Sequence, residues 1–379
     1  MRVSTRPAKR FILTADSTSL ELRFDHFRSD ADLAQQRELF RDCFPENAGS
    51  SVESSAHYLW KFHSFPNSTP SYEYGVWNKA NNQMVGYYAA IPYRYSVAGR
   101  MLTCGMVCDV MTHSAARGQG IFTKLGTYST KALQAAGVDF TSGYPIRPEV
   151  IPGHLKVGWK IAFGLPMYLK VLRANTPLKK TPIAFAAPLV NVGLKALNLI
   201  THARREAGYT TEILSFEDFM QRHGDAYRTF FDRWRADKPI HLLKDEAFLR
   251  WRLGAPGTEY SVIVASANEE IEALAFVRPT ILKGISTLAV LDLMTLGNRS
   301  ATATAFNALE RAASESKCDT IAVMASPSSA RKIRLFRYGF LRTPFVFKLI
   351  IKQLSGAASE EFLRDESKWS LGWIDSDDL

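Results

Sequence analysis

Arg117-Gly118-Gln119-Gly120 separates an apolar run (107–112) from an amphipathic one (122–136). A strand that ends in a glycine turn and feeds directly into a helix leaves several backbone N–H groups pointing outward. They lie at the end of the helix that carries partial positive charge. Such a turn can seat a phosphate, with Gly118 and Gly120 allowing close backbone approach and Arg117 adding a forked, charge-assisted contact. No Lys-Ser or Lys-Thr follows the glycines, so the turn is not a P-loop. The spacing also differs from G-x-G-x-x-G, which disfavours a dinucleotide fold.

The longer stretch, Val107-Cys108-Asp109-Val110-Met111-Thr112-His113-Ser114-Ala115-Ala116-Arg117-Gly118-Gln119-Gly120-Ile121-Phe122-Thr123, resembles motif A of the GNAT superfamily of acyl-CoA N-acyltransferases. In that family a pattern R/Q-x-x-G-x-G/A grips the coenzyme A pyrophosphate and the preceding strand pairs with the pantetheine arm. Arg117 and Gly120 match, whereas Phe122 stands where the family has Gly or Ala. The resemblance implies a cofactor-binding set of Val110, Met111, Thr112, Arg117, Gly118, Gln119, Gly120, Ile121, Phe122 and Thr123. It also implies acetyl-CoA or another acyl-CoA as co-substrate, and no metal.

Acyl transfer from a thioester to an amine needs a deprotonated amine, donors for the oxyanion and a proton for the leaving thiolate. In the family a Tyr in a pattern like Y-x-K-x-G-F often supplies that proton. Here the corresponding run is His154-Leu155-Lys156-Val157-Gly158-Trp159, which makes His154 the candidate acid or base. Asp109 is a second candidate because carboxylates on that strand act as bases in some relatives, though a shared structural role also explains it. Tyr144, with Ser142, is placed to line the thioester.

The elements that must position these groups follow from periodicity. Strands are expected at 20–27, 72–79, 83–95, 101–112, 138–144 and 159–172, with helices at 31–44, 52–63, 122–136 and 150–157. That is the GNAT order, and the resemblance therefore spans about residues 20–172. The second half repeats the first. Val290-Leu291-Asp292-Leu293-Met294-Thr295 mirrors Val107 to Thr112, and the aromatic, basic run Phe248 to Leu253 mirrors Tyr58 to Phe62. In this register Arg117 to Gly120 becomes Ala301 to Thr304, without glycine or basic fork. The expectation is an α/β (α+β) fold of two tandem GNAT-like domains, each a mostly antiparallel twisted sheet flanked by helices, with only the first binding acyl-CoA. The divisions are a basic tail (1–18), the first domain (19–174), a linker (175–208), the degenerate domain (209–355) and a C-terminal tail (356–379).

Composition sets the outer limits. The 379 residues suit two domains, and 46% hydrophobic with 22% charged residues suits a globular chain. A net charge of +10 favours anionic partners. The basic residues are scattered instead of forming one stripe with interleaved aromatics, which disfavours nucleic acid. Four cysteines without C-x-x-C pairs read as core residues of a reducing compartment, and no secretory signal is evident. The expected localisation is cytoplasmic. The linker is too polar and Pro-broken to span a membrane, yet its basic flanks are compatible with peripheral membrane contact. The leading function is N-acyl transfer to a primary amine, on an amino sugar or a cell-envelope precursor. The alternatives are a non-catalytic acyl-CoA-binding module and a Fem-type aminoacyl transferase, the latter also a tandem GNAT fold.

Overall fold

The computed structural model describes residues 20–66, 69–173, 191, 193, 194 and 208–377. The basic tail at 1–18 and nearly all of the linker at 175–208 lie outside the described residues. Among the described residues no helix is long and apolar enough to cross a membrane.

The first half runs β1 (Leu22–His26), α1 (Ser29–Cys43), α2 (Ser55–His63), β2 (Tyr72–Asn78), β3 (Gln83–Val97), β4 (Arg100–Thr112), α3 (Ile121–Ala135), β5 (Phe140–Gly143), α4 (Ile151–Lys156) and β6 (Lys160–Val171). The second half runs β7 (Thr210–Ser215), α5 (Phe216–Arg235), β8 (Ile240–Leu242), α6 (Glu246–Arg252), β9 (Ser261–Ala267), β10 (Glu270–Leu282), β11 (Ile285–Thr295), α7 (Arg299–Glu315), β12 (Thr320–Met324), α8 (Pro327–Lys332) and β13 (Leu341–Gln353). A tail carrying α9 (Glu360–Arg364) and β14 (Trp369–Ser370) follows. These elements build the expected mixed α/β fold around a large, mostly antiparallel sheet with helices against it.

Local sequence accounts for the central pieces. Along α3, Ile121, Leu125, Ser129 and Leu133 recur every four residues and are buried, so one stripe of the helix faces the sheet. Gly126 on that stripe lets Val157 approach, since a Cβ there would lie 3.2 Å from its methyl group. Strand β3 is buried almost throughout because elements cover both of its faces, and its sequence is correspondingly apolar with little alternation.

The sheet order is β1-β2-β3-β4-β5-β13-β6-β12-β11-β10-β9-β7. Strand β6 therefore does not close the first half. It pairs antiparallel with β12, from Val171↔Thr320 to Met167↔Met324, while β13 pairs antiparallel with β5, from Ile350↔Gly143 to Gln353↔Phe140. The two exchanged strands also pair with each other, from Leu341↔Leu169 to Ile351↔Lys160. Each covers an edge that would otherwise present unpaired backbone groups. A single hydrophobic cluster draws on both halves, including Phe62, Tyr93, Phe248, Trp251 and Trp373.

The register expected between the halves shifts after β11. Ala301 to Thr304 lie inside the first turns of α7, with Ala301, Thr302 and Thr304 buried, and the turn ahead of that helix is Leu296-Gly297-Asn298. The second turn is shorter than its counterpart, so Ala301 to Thr304 do not stand where the glycine loop stands. Phe306, further along α7, stacks on Tyr338 with ring centroids 4.2 Å apart.

Candidate functional site

Strand β4 is held on one side by β3 along its full length, from Arg100↔Val97 to Thr112↔Gly86. On the other side its parallel pairing with β5 stops after Cys104↔Phe140, Gly105↔Thr141 and Met106↔Ser142. From Val107 onward that edge has no strand beside it among the described residues, which leaves room for a ligand to bond its backbone. A bulge falls in the same stretch, where Tyr88 faces both Asp109 and Val110 and Asp109 takes φ 48°. Positive φ is uncommon outside glycine but most tolerable for Asp and Asn.

Beyond Thr112 the chain is pinned before it turns. Asp42 on α1 accepts from the Ser114 backbone N–H at 2.6 Å and from its hydroxyl at 2.7 Å, and Ala115 N–H donates to His113 Nδ1 at 3.2 Å. Burial alone would raise the Asp42 carboxyl. The two Ser114 donors, with His113 and Arg117 nearby, outweigh it and hold Asp42 below the usual aspartate value. Arg117 donates from Nε to the Thr112 carbonyl at 3.3 Å and remains exposed.

Gly118 and Gly120 have φ of 81° and 73°. A Cβ at Gly118 would meet nothing within 4 Å, so backbone conformation rather than crowding calls for glycine there. Gly120 is the N-cap of α3 and brings no side chain to the helix end. The first backbone donor bonded within the turn is that of Lys124, to the Gly120 carbonyl at 3.0 Å. The N–H groups of Ile121, Phe122 and Thr123 thus face outward beside the exposed Arg117, as an anion seat requires.

The corresponding end of α7 differs. Asn298 accepts from the N–H groups of Ser300 and Ala301, so the second half caps its own helix. Its parallel pairing runs one residue further, through Val290↔Val323. The C-terminal tail also packs against β11 at that level: a Cβ on Gly372 would lie 2.6 Å from the Leu291 carbonyl oxygen.

Phe122 turns away from the glycine loop. Its ring meets His154 edge-on at 5.0 Å and lies over Gly153, where a Cβ would come within 2.6 Å of the ring. His154 is buried between Phe122 and Trp159, and burial drives its imidazole down to about 4, so it is neutral near pH 7. An imidazole of such low basicity is a poor base for the amine and, being neutral, a poor acid for the leaving thiolate. Tyr144 follows β5 directly and is buried, with Tyr95 and Asp375 as neighbours; burial first and Asp375 second push its hydroxyl well above the ordinary tyrosine value.

Asp109 has a partner that the sequence reading missed. Lys61 Nζ on α2 lies 2.9 Å from Asp109 Oδ1 and 2.9 Å from Asp377 Oδ2 in the C-terminal tail. Burial opposes the ammonium, but the two carboxylates prevail and hold Lys61 charged well above the ordinary lysine value. Cys108, Asp109 and Asp377 converge closely enough to suggest a metal cluster, yet the cation between the two carboxylates is lysine. The second half has a matching arrangement: Lys244 Nζ lies 2.6 Å from Asp292 and 3.0 Å from Asp375. The tail thus supplies one carboxylate to each Lys-Asp pair. The available signal was Lys61 itself, three residues after Tyr58 on the buried face of α2 and therefore in need of a counter-charge.

The loop, the open strand edge and the helix end converge in the segment that the comparisons single out. Residues 27–162 match the family model for an acetyltransferase (GNAT) domain. No curated protein matches the chain in sequence. Similar solved structures include a GCN5-related N-acetyltransferase from Anabaena variabilis, with TM-score 0.62 and 12% identity, the alignment covering 88% of this chain and 73% of that one. A GCN5-related N-acetyltransferase from Kribbella flavida gives TM-score 0.56 at 13% identity, covering 89% and 72%. The N-myristoyltransferase of Saccharomyces cerevisiae, solved with myristoyl-CoA and inhibitors bound, gives 0.57 at 13% identity, covering 96% and 89%. At these identities the shared property is the fold, a mixed sheet flanked by helices as in the GNAT structures.

Proposed function

We propose that this protein is an N-acyltransferase that moves an acyl group from coenzyme A to a primary amine, using only the first of two tandem GNAT-like halves. One observation carries the reading. Of the two helix ends compared, the one without a side-chain cap, at Gly120, adjoins the stretch of β4 freed from β5, so a diphosphate and a thioester arm can be held together. Amides of Gly118 to Thr123 and the Arg117 guanidinium bind the diphosphate. Backbone groups of Val107 to Thr112 bind the pantetheine arm and polarise the thioester carbonyl. The amine approaches from the α2 face, where Asp109 and Asp377 supply negative charge around Lys61. Attack forms the N–C bond, the C–S bond breaks, and the thiolate takes up a proton. Holding donor and acceptor in line supplies much of the rate. The capped α7 end and the tail packed on β11 support a second half that shapes the cleft without binding the donor.

Thermal shift with coenzyme A, acetyl-CoA and myristoyl-CoA tests the binding half of this reading, since a ligand specific for the native state raises the melting temperature. Free-thiol release from acetyl-CoA with glucosamine, spermidine and a peptide with a free N-terminus tests the chemistry. Binding without thiol release from any acyl-CoA and amine would leave an acyl-CoA-binding module in place of an enzyme.

A further inference from the structure

Acyl transfer to an ammonium group removes two protons from nitrogen. The thiolate takes one, and the other must leave the protein in every cycle. The site described above offers no evident way out, because Lys61 keeps its proton and Asp109 is engaged with it.

A route lies two strands away on the same face of the sheet. Glu73 on β2 stands opposite Ala89 on β3, which stands opposite Cys108 on β4, next to Asp109. The Glu73 side chain is 9% exposed. Its Oε2 accepts from the Tyr58 hydroxyl at 2.6 Å and from the Tyr87 hydroxyl. Tyr58 Oη in turn lies 3.2 Å from His63 Nε2, and the His63 side chain is 41% exposed at the end of α2. The chain Glu73, Tyr58, His63 therefore leads from a buried carboxyl to solvent through one buried hydroxyl.

We propose that Glu73, Tyr58 and His63 form the exit path for the proton released by the acceptor amine; this rests on the transferase reading above. Glu73 takes up the proton at the Asp109 end of the cleft. With Glu73 protonated the hydrogen bond between them reverses: Glu73 donates to the Tyr58 oxygen, the Tyr58 hydroxyl turns to His63 Nε2 and gives its own proton there, and His63 releases one to water. The hydroxyl is restored and no charge accumulates. The surroundings suit a carboxyl that exchanges protons near neutrality. Glu73 is raised to about 7 in all: burial is the largest cause, the Tyr58 and Tyr87 donors oppose it, Asp109 on β4 adds to it and Arg37 on α1 opposes it. Lys61, His57 and His63 on α2, Cys108 on β4 and Asp377 in the tail are further ionisable groups in this cluster. Tyr87 donates to the carboxylate from β3 but leads nowhere, being fully buried. It is a positioning residue.

The test is the pH dependence of thiol release from acetyl-CoA with whichever of the three amines the wild-type protein accepts. Glu73→Gln keeps the shape and an acceptor oxygen for the tyrosines. It should lower kcat at pH 7 by about tenfold or more and remove the inflection near neutrality, with KM for acetyl-CoA little changed. His63→Ala, at an exposed position, should lower kcat and regain it as imidazole buffer is added. A Glu73→Gln profile that coincides with the wild type overturns the route, as does a His63→Ala loss that imidazole leaves untouched. If Glu73→Gln does not fold, His63→Ala decides alone. Absence of wild-type turnover with every amine would instead overturn the transferase reading, and the route with it.

Discussion

Trp60 and Trp251 stack with ring centroids 5.5 Å apart and planes 16° from parallel, and each indole N–H donates to the other's backbone carbonyl, at 2.6 and 2.9 Å. A contact in which each partner does to the other what is done to it is the signature of a two-fold relation. Here it joins α2 and α6 within one chain. Trp60→Phe and Trp251→Phe should each lower stability by about 1–2 kcal/mol through a lost hydrogen bond and a weakened stack. The double variant should lose less than the sum of the two, measured by denaturant midpoints. Strict additivity would show that the two indoles act independently.

The two helix ends lead to opposite expectations for donor binding. Gly120→Glu places a carboxylate at an αL position facing the anion seat, and should abolish the thermal shift caused by acetyl-CoA. Asn298→Ala removes the cap of α7, and should lower stability by about 1 kcal/mol while leaving that shift intact. Equal loss of the shift from both variants would contradict a single donor site.

Lys61 bridges two carboxylates, one on β4 and one in the tail after β13. Lys61→Met should cost about 3–5 kcal/mol by leaving those charges poorly matched. Adding Asp109→Asn should restore part of it. The readout is melting temperature together with protease sensitivity of the tail between Glu366 and Asp377. A single variant as stable and as resistant as the wild type would show that the tail is held by its buried apolar residues alone.

His154 provides a pH test of packing. Its imidazole is held near 4 in the native state against 6.5 for the free side chain, so the neutral form is the one the native state favours. The associated stability is fully present above pH 6.5 and is lost as pH falls toward 4. It amounts to on the order of 3 kcal/mol at most. His154→Gln should flatten the stability profile across that window. His57, lowered in the same direction chiefly by burial, keeps its own share. Identical profiles for variant and wild type would mean that His154 carries no such penalty.

How much of this was legible in the chain depended on range. Gly118 and Gly120 were readable because a left-handed turn before a helix restricts the residue type locally. The strands and helices of the first half were readable because burial imposes a period of two or near four over a short window. Phe122 departs from the family pattern, and the room for its ring comes from Gly153 on another helix, which no local rule reveals. Lys61, Asp109 and Asp377 are 48 and 316 positions apart along the chain, and no local rule brings them together. The alignment of Ala301 to Thr304 with the glycine loop failed because the second turn is shorter, and sequence similarity in β11 gave no warning of that. The pairing of β6 with β12 and of β13 with β5 was hidden for the same reason: any apolar strand of suitable length could have filled either place.

That exchange bears on how the molecule is made. A nascent chain that has emerged as far as β6 still lacks the strand that must cover β5, because that strand ends at Gln353. Its own β6 meanwhile has no β12 to lie against. The part synthesised first therefore waits, incomplete, until Gln353 has left the ribosome. A fragment ending between the two halves should accordingly be sticky and protease-sensitive, and should be rescued by supplying the missing half in trans.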